Sequence, residues 1–213
     1  MKQSIILIGG GGHCKACIDV IEQEARYRIA GVVDVAEKLH EQILGYKVIC
    51  TDEDIPNIVK EYDHFLITLG QIKTPKRRIA LFELLKSLNA KLPVIISPLA
   101  YVSKHAQVGE GTIVMHNTLV NAGASIGRNC IINSKALVEH DATIADHCHI
   151  STGAVVNGGV RIGPQTFIGS NVSTREYVEI GDTCVIGAGE KIITNIASNS
   201  IIKTVPKITL TQS

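Results

Sequence analysis

The chain has 213 residues, which is enough to bury one large core or two modest ones. A hydrophobic content of 45% with 19% charged residues is typical of a globular protein, and a formal net charge of +1 argues against nucleic acid or an anionic membrane as a partner. The apolar start, residues 1–8, is too short to span a membrane and runs directly into glycines, so we expect a cytoplasmic protein.

Residues 1–97 predict a small parallel α/β domain of the Rossmann-like kind. An apolar strand at 4–8 is followed by four glycines, His13 and a helical pattern to about Ala25. Glycines let a ligand approach the backbone, and a helix start offers free N–H groups, so this arrangement favours a phosphate. The dinucleotide fingerprint would need glycine where the chain has Cys14, which disfavours a nicotinamide cofactor.

The rest of this domain continues the strand and helix alternation. Strands are predicted at 29–33, 65–69 and 91–96, and helices at 52–62 and 75–88. Because ligands of such sheets bind at the carboxyl ends of the strands, a nucleotide is expected there. Asp34 could accept a hydrogen bond from a ribose or base, or it could be a solvated strand-end carboxylate. The expected ligand site comprises Gly11, Gly12, His13, Asp34 and Gly70.

Residues 98–213 predict a parallel β-helix with a C-terminal tail from position 201. Sixteen positions spaced six apart from Val102 to Ile192 are all Val or Ile except Thr174. A period of six fits neither an amphipathic helix nor a flat strand, but it fits a solenoid that turns a corner every six residues. Three such hexads make a triangular coil of eighteen residues. Glycines often follow the aliphatic, where we expect bends that need a permissive backbone: Gly109, Gly127, Gly163, Gly169, Gly181 and Gly187.

The six cysteines do not indicate a disulfide framework. Cys130, Cys148 and Cys184 occupy the small inward position of their hexads, which favours a packing role. Cys14 and Cys17 form a CxxC at the start of a predicted helix, without a second pair that would complete a zinc site.

One corner of the predicted solenoid carries catalytic residue types. His140 lies between Glu139 and Asp141, and the residues one coil before and after it, Ala122 and Gly158, are small enough to leave the ring accessible. Histidine is the natural base near neutral pH, and an adjacent carboxylate can fix its tautomer. A plain polar corner is the alternative interpretation.

A second histidine, His149, lies half a coil further on and therefore on a different face of the subunit. Adjacent subunits of a trimer could bring the two faces together. His116 and His147 are weaker candidates, and Cys148 lies in an inward register that argues against a thiol nucleophile.

The combination of motifs resembles the hexapeptide-repeat sugar acetyltransferases of the sialic-acid O-acetyltransferase and bacillosamine N-acetyltransferase family. The resemblance covers nearly the whole chain. It implies a left-handed β-helix, a homotrimer with active sites between subunits, acetyl-CoA as co-substrate and no metal. The residues that carry it are 10–13 (GGGH), 133–141 (NSKALVEHD), 149–153 (HISTG) and 157–158 (NG).

The resemblance also implies roles for individual residues. The family's general base falls on His140 and the acid that raises its basicity on Asp141, while the histidine near the thioester matches His149. Contacts to coenzyme A match Gly158, Ser170 and Ala188. Contacts to the nucleotide sugar match Gly11, Gly12, His13, Asp34 and Gly70. Val35 stands where bacillosamine-type members often carry a second Asp, which leaves uracil or guanine open as the base.

We therefore predict an acetyl-CoA-dependent N-acetyltransferase that acts on the 4-amino group of a nucleotide-linked 4-amino-4,6-dideoxy sugar, with UDP as the favoured nucleotide. The alternatives are O-acetylation of a sialic-acid-like sugar and N-acetylation of GDP-perosamine. Two further classes remain: a zinc lyase using His116, His140 and His149, and a sugar-nucleotide-binding scaffold without catalysis.

Overall fold

The computed structural model describes residues 2–72 and 74–204. Its N-terminal part is a five-stranded sheet in the order β3-β4-β2-β1-β5, parallel except for the antiparallel pair of β3 and β4. The elements are β1 (Gln3–Ile8), α1 (Gly12–Glu24), β2 (Tyr27–Val33), β3 (Gln42–Ile43), β4 (Tyr46–Cys50), α2 (Ile55–Ile58), β5 (His64–Ile67) and α3 (Lys76–Ser87), with short 3₁₀ turns at Ala36–Lys38 and Asp52–Asp54.

The order of the strands places the loops that follow β1 and β5 side by side. From β1 the chain adds β2 and then β4 on one side, and it then crosses over to add β5 on the other side of β1. The direction in which strands are added therefore reverses between β1 and β5. The carboxyl ends of these two strands are in register, with Ile8 opposite Ile67. In open α/β sheets the crevice at such a switch point is where ligands bind.

Two local predictions for this part are wrong. The predicted strand at 91–96 does not form: Lys91 only bridges to His64, whereas Ile95–Ile96 joins the β-helix by pairing with Ile113–Val114. Pro93 lies between the two and has no N–H to donate to a ladder. The helix predicted over 52–62 shrinks to the 3₁₀ turn and α2.

The remainder is a parallel β-helix of two-residue strands that lie on three sheets, and each strand pairs with the strand one coil later. The first sheet contains Tyr101–Val102, Leu119–Val120, Leu137–Val138, Val155–Val156, Ser173–Thr174 and Lys191–Ile192. The second contains Gln107–Val108, Ser125–Ile126, Thr143–Ile144, Arg161–Ile162 and Glu179–Ile180. The third contains Ile95–Ile96, Ile113–Val114, Ile131–Ile132, His149–Ile150, Phe167–Ile168, Val185–Ile186 and Ile201–Ile202.

The inward residues of the coils form one continuous core, as the period of six predicts. Val138, Ile150 and Val156 are fully buried in it, together with the inward thiols of Cys130, Cys148 and Cys184. The exception in the repeat, Thr174, also points inward, and its hydroxyl accepts a hydrogen bond of 2.9 Å from the backbone N–H of Asn157. The predicted fold class, a Rossmann-like α/β domain followed by a left-handed parallel β-helix, is confirmed.

The β-helix extends beyond the predicted end of its repeat. Ile201–Ile202 lies within the segment predicted as a tail, yet it pairs with Val185–Ile186 as the last strand of the third sheet. Residues 205–213 of the predicted tail lie outside the described residues.

Helix α1 packs against the first coils of the third sheet. Cys17 and Ile18 share a buried cluster with Ile113, Met115 and Ile131, whose side chains leave the β-helix on its outer face. The helix therefore covers the early coils of this sheet. The glycine loop, residues 9–12, leads into the helix and comes to lie near the later coils. None of the helices in the described ranges is long and apolar enough to cross a lipid bilayer.

The glycines that directly follow the inward aliphatics are needed for space and not for an unusual backbone angle. Gly127 has no positive φ, but a Cβ built on it would lie 2.7 Å from the carbonyl carbon of Ala145 and 2.7 Å from the nitrogen of Asp146, in the next coil. Gly109, Gly163, Gly169 and Gly181 meet the following coil in the same way. Close stacking of the coils, rather than the bend that we expected, selects glycine here.

We expect Gly127→Ala to lower the free energy of unfolding by about 1–3 kcal/mol, because an extra methyl is forced against backbone that cannot move aside. Urea denaturation at a fixed protein concentration measures the effect. Gly12→Ala is the matched control, since a Cβ at this first residue of α1 meets nothing within 4 Å. Equal destabilisation of the two variants would contradict the steric explanation.

Candidate active site

The His140 corner directly follows strand Leu137–Val138 of the first sheet. The ring is half exposed, and its Nδ1 lies 3.0 Å from Oδ2 of Asp141. Glu139 does not contact the ring: its carboxylate accepts from the backbone N–H of His140 at 3.1 Å and from Nδ2 of Asn121 at 2.9 Å. The structure thus identifies Asp141 as the acid that partners the imidazole.

This contact determines which nitrogen of His140 can act as a base. A carboxylate can only accept, so the proton lies on Nδ1 and the lone pair on Nε2. The hydrogen bond to Asp141 also raises the pKa of His140 above its ordinary value of 6.5. Nε2 lies over Gly158, where a Cβ would come within 2.6 Å of it, so the predicted small neighbour one coil later is confirmed.

A cavity of about 680 Å³ lies between the α/β domain and the later coils of the third sheet. Five residues that the sequence singled out line it: His13 and Gly70 from the expected nucleotide-sugar set, and His149, Ser170 and Ala188 from the expected coenzyme A set. Members of both expected sets therefore meet in one cavity, whereas Gly11, Gly12, Asp34 and Gly158 are not among its lining residues. Its other lining residues include Gln71, Ile72, Asn133, Ser151, Phe167, Val185, Ile202 and Lys203.

His149 is held in this cavity as a neutral ring. Its side chain is buried, and burial lowers its pKa to about 4. Nδ1 donates to the backbone carbonyl of Gln71 at 2.6 Å, while Nε2 faces Nδ2 of Asn133 at 3.3 Å. The ring packs edge-on against Phe167, with centroids 5.2 Å apart. Since Nδ1 carries the proton, Nε2 can only accept hydrogen bonds, and His149 cannot donate a proton from the cavity side.

His13 lies in the first turn of α1, with its ring centroid 6.5 Å from that of His149. Burial lowers its pKa to about 3, and the positive charge of Arg78 adds to the effect. Its Nε2 lies 3.4 Å from Sγ of Cys17. Burial raises the pKa of the thiols of Cys14 and Cys17, so this CxxC does not provide the thiolate that redox chemistry requires.

The glycine loop has an open side and a closed side. Gly11 and Gly12 are exposed, and a Cβ on either would meet nothing within 4 Å, so a ligand can approach their backbone N–H groups. On the closed side, the buried carboxylate of Asp34 accepts from the N–H of Gly10 at 3.1 Å and from Nζ of Lys38 at 2.7 Å. Burial acts to raise the pKa of Asp34, but these bonds outweigh it and hold the pKa below its ordinary value. Asp34 therefore stabilises the conformation of the glycine loop through its bond to Gly10.

The residues predicted for catalysis and for coenzyme A form two groups within one protomer. His140, Asp141 and Gly158 lie at the corner after the first sheet, whereas His149, Ser170 and Ala188 line the cavity on the third sheet, which His140 does not reach. Gln71, Asn133 and Phe167 are neighbours of His149 that were not predicted from the sequence. Asn133 begins the motif 133–141, but the motif carries no sign of a contact with His149, and Gln71 and Phe167 lie in no motif; only the folded chain brings the three to that ring.

The histidines of the zinc alternative, which would have to meet between subunits, do not lie together within one protomer. His116 uses both ring nitrogens in hydrogen bonds, with Nδ1 2.6 Å from Oγ of Ser97 and Nε2 2.8 Å from Oδ2 of Asp19. Within residues 2–72 and 74–204, no group of three or more His, Cys, Asp or Glu side chains is arranged to hold a metal ion.

Two protein families match separate parts of the chain: the PglD N-terminal domain matches residues 4–82, and the bacterial transferase hexapeptide (six repeats) matches residues 123–158. No curated protein matches the sequence.

Several solved structures match over nearly the whole chain. A variant of perosamine N-acetyltransferase from Caulobacter crescentus, in complex with CoA and GDP-perosamine, is 28% identical over 93% of this chain and 92% of its own, with a TM-score of 0.86. The acetyltransferase domain of PglB from Neisseria gonorrhoeae, in complex with acetyl coenzyme A, is 28% identical over 94% and 96%, also with a TM-score of 0.86. WeeI from Acinetobacter baumannii shares the fold at 18% identity, over 94% of this chain and 96% of its own, with a TM-score of 0.82.

The two family matches follow each other in the order of the α/β domain and the β-helix, and the solved structures reproduce both parts together. The resemblance drawn from the sequence motifs is confirmed. Over nearly its whole length the chain is similar to hexapeptide-repeat sugar acetyltransferases, with a PglD-type N-terminal domain followed by the hexapeptide repeats.

Proposed function

We propose that the protein transfers the acetyl group of acetyl-CoA to the 4-amino group of a nucleotide-linked 4-amino-4,6-dideoxy sugar used in surface glycan synthesis. The observation that carries this proposal is the Asp141-oriented imidazole of His140, exposed at a corner with a free Nε2 and a raised pKa. A base of this kind is what an amine needs when it attacks a thioester.

In the proposed reaction the sugar nitrogen attacks the thioester carbonyl while His140 Nε2 removes the amine proton. The negative charge on the carbonyl oxygen is stabilised by backbone N–H groups. Collapse of the tetrahedral intermediate breaks the C–S bond and forms the amide, and the proton on His140 passes to the departing thiolate. Asp141 stabilises the imidazolium in between, and no covalent enzyme intermediate is required.

The cavity provides the proposed acetyl-CoA site. His149, Ser170 and Ala188 line it, and its volume of about 680 Å³ falls within the range of small-molecule sites. Asn133 reaches Nε2 of His149 at the long distance of 3.3 Å, so this nitrogen can accept a hydrogen bond from an amide N–H of the pantetheine arm. Gly158, under His140, would contact the coenzyme from the other side.

The nucleotide sugar is proposed to bind at the switch point of the α/β sheet. The exposed N–H groups of Gly11 and Gly12 at the start of α1 suit its diphosphate. His13 and Gly70 connect this loop to the cavity, which brings the sugar toward the thioester. Asp34 is assigned to this site as the residue that shapes the loop, through the hydrogen bond that it accepts from the N–H of Gly10.

A homotrimer would unite the two groups of residues. The first sheet presents an outward column of Tyr101, Leu119, Leu137 and Val155, of which Tyr101 is 60% exposed. Such an apolar column beside the His140 corner supports self-association. In the proposed trimer, the His140 corner of one subunit faces the His149 cavity of its neighbour.

The resemblance to the bacillosamine group favours UDP as the nucleotide. GDP is the second candidate, because the Caulobacter crescentus enzyme, with 28% identity over 93% of this chain, was solved with GDP-perosamine. An assay of thiol release from acetyl-CoA, with each nucleotide sugar offered in turn, separates the two candidates.

We expect His140→Ala to reduce thiol release from acetyl-CoA, with a UDP- or GDP-linked 4-amino-4,6-dideoxy sugar as acceptor, by at least about a hundredfold, the low end for loss of a general base. His105→Ala, which removes another exposed histidine of the same β-helix, is the control and should leave the rate unchanged. An undiminished rate in His140→Ala would rule out His140 as the base. Turnover only with sialic-acid-like hydroxyl acceptors would favour the O-acetyltransferase, and binding without thiol release would favour a scaffold.

The pH profile provides a second test. The general base must be unprotonated, so kcat/KM should fall as the pH drops through the pKa of His140, which Asp141 raises above 6.5. His149 and His13, with pKa values of about 4 and 3, do not titrate in this range. In Asp141→Asn the acidic limb should move to lower pH, because a neutral amide oxygen stabilises the imidazolium less than a carboxylate does, and the plateau should fall. Asp63→Asn is the control, because it removes an exposed carboxylate that pairs with Lys91, and it should leave the acidic limb of the profile unchanged. An acidic limb that is also unchanged in Asp141→Asn would contradict the assignment of this limb to His140.

A further inference from the structure

Arg78 is a buried cation at the junction of the α/β domain and the β-helix. It lies in the first turn of α3 and is only 2% exposed. Within the described part of the chain it forms no ion pair with a carboxylate. Burial lowers its pKa to about 10, so the guanidinium stays charged at neutral pH. A buried charge without a counter-ion is costly, and its hydrogen bonds must therefore offset the desolvation.

Those hydrogen bonds reach in two directions. Nη1 donates to the carbonyl of Ile67 at 2.9 Å and to that of Leu69 at 2.6 Å, at the carboxyl end of β5. Nη2 donates to Asn129 of the β-helix, to its side-chain Oδ1 at 2.7 Å and to its carbonyl at 3.2 Å. One planar group thus joins the end of β5 to a corner of the β-helix.

The segment held by Arg78 continues directly to His149. Two residues after Leu69, the buried Gln71 accepts the Nδ1 proton of His149 on its backbone carbonyl at 2.6 Å. The Gln71 side chain donates through Nε2 to the carbonyl of His147 at 3.1 Å. Asn129, which binds Arg78, also contacts this histidine, since its Nδ2 lies 3.0 Å from Nδ1 of His147. The hydrogen bonds therefore connect Arg78 to Gln71 through the β-helix as well. Displacement of residues 67–71 would therefore remove the group that orients the His149 ring.

We propose that Arg78 is a positioning residue of the acyl-transfer site, which fixes the Gln71 carbonyl and through it the tautomer and orientation of His149. The role in catalysis rests on the proposed function, in which His149 contacts acetyl-CoA. The positioning itself does not, since it concerns only hydrogen bonds inside the folded chain. Arg78 touches neither the cavity nor the proposed substrates.

The charge of Arg78 adds to the geometric effect. It lowers the pKa of His13 and of His149, in each case in addition to burial. The neighbouring rings of His13 and His149 therefore both stay neutral. A lysine could not replace the guanidinium, because a single ammonium cannot contact acceptors on both sides in one plane.

The test uses variants that separate positioning from folding. Asn129 has a φ of 53°, a conformation that glycine tolerates best, so Asn129→Gly removes the amide that binds Arg78 without straining the backbone. Asn117→Gly, at an exposed corner with a φ of 57°, is its matched control. Arg78→Lys is compared with Arg77→Lys, since the exposed Arg77 pairs with Asp52 at the surface.

The measurements are the ¹⁵N imidazole spectrum of His149, assigned with His149→Gln, and the Kd and KM for acetyl-CoA. In wild type we expect a single neutral tautomer protonated at Nδ1. In Asn129→Gly and Arg78→Lys we expect a mixture of tautomers, together with roughly tenfold weaker binding of acetyl-CoA, which corresponds to one lost hydrogen bond. The two controls should match wild type.

A pure Nδ1 tautomer and unchanged acetyl-CoA affinity in folded Asn129→Gly would overturn the proposal. If Arg78→Lys does not fold, Asn129→Gly decides the outcome. Wild-type protein that acetylates no amino sugar would count against the proposed function alone, because the tautomer is measured without any substrate. A tautomer shift without any change in acetyl-CoA affinity would contradict the link between Arg78 and the acyl-transfer site.

Discussion

The stacking of coils in an eighteen-residue register is the constraint on which the rest of the structure depends. Inward Val and Ile side chains fill each coil, and backbone N–H groups donate from one coil to its neighbour, as Gly159 does to the carbonyl of His140 at 2.9 Å. The register determines what lies above and below every corner. His140 has room for its ring because position 158 is glycine, and Gly127 is required because the next coil passes within van der Waals distance.

The chemistry of the proposed site depends on two histidines in opposite environments. His140 is exposed and paired with Asp141, which raises its pKa, whereas His149 is buried and its pKa is lowered to about 4. Environments that separate the pKa values of similar groups usually separate their roles as well. The exposed ring is suited to carry a proton during the reaction, and the buried ring is suited to bind without changing charge.

The sequence predicted the period, the three-sided coil and the central strands, because each leaves a repeated or continuous apolar signal. It did not predict that Ile95–Ile96 belongs to the β-helix, since an apolar pair before the first hexad carries no label of the sheet that it joins. The corner at His140 was found from residue types, but the choice between Glu139 and Asp141 required the backbone direction at the corner, where Asp141 has a φ of 59°. In the sequence nothing distinguishes Arg78 from a surface residue of an ordinary helix, and only the folded chain buries it against Asn129 of the β-helix.

The central claim is that an acyl-transfer site forms where the His140 corner of one subunit meets the His149 cavity of another. The most direct measurement mixes His140→Ala and His149→Ala subunits by exchange and follows thiol release at limiting acetyl-CoA, with mixed assemblies verified by mass spectrometry. Random mixing in a cyclic trimer places both intact histidines together in about a quarter of the sites, so about a quarter of the wild-type rate should return. Mixed trimers with no more activity than the separate variants would contradict the claim and place both histidines of each site in the same subunit.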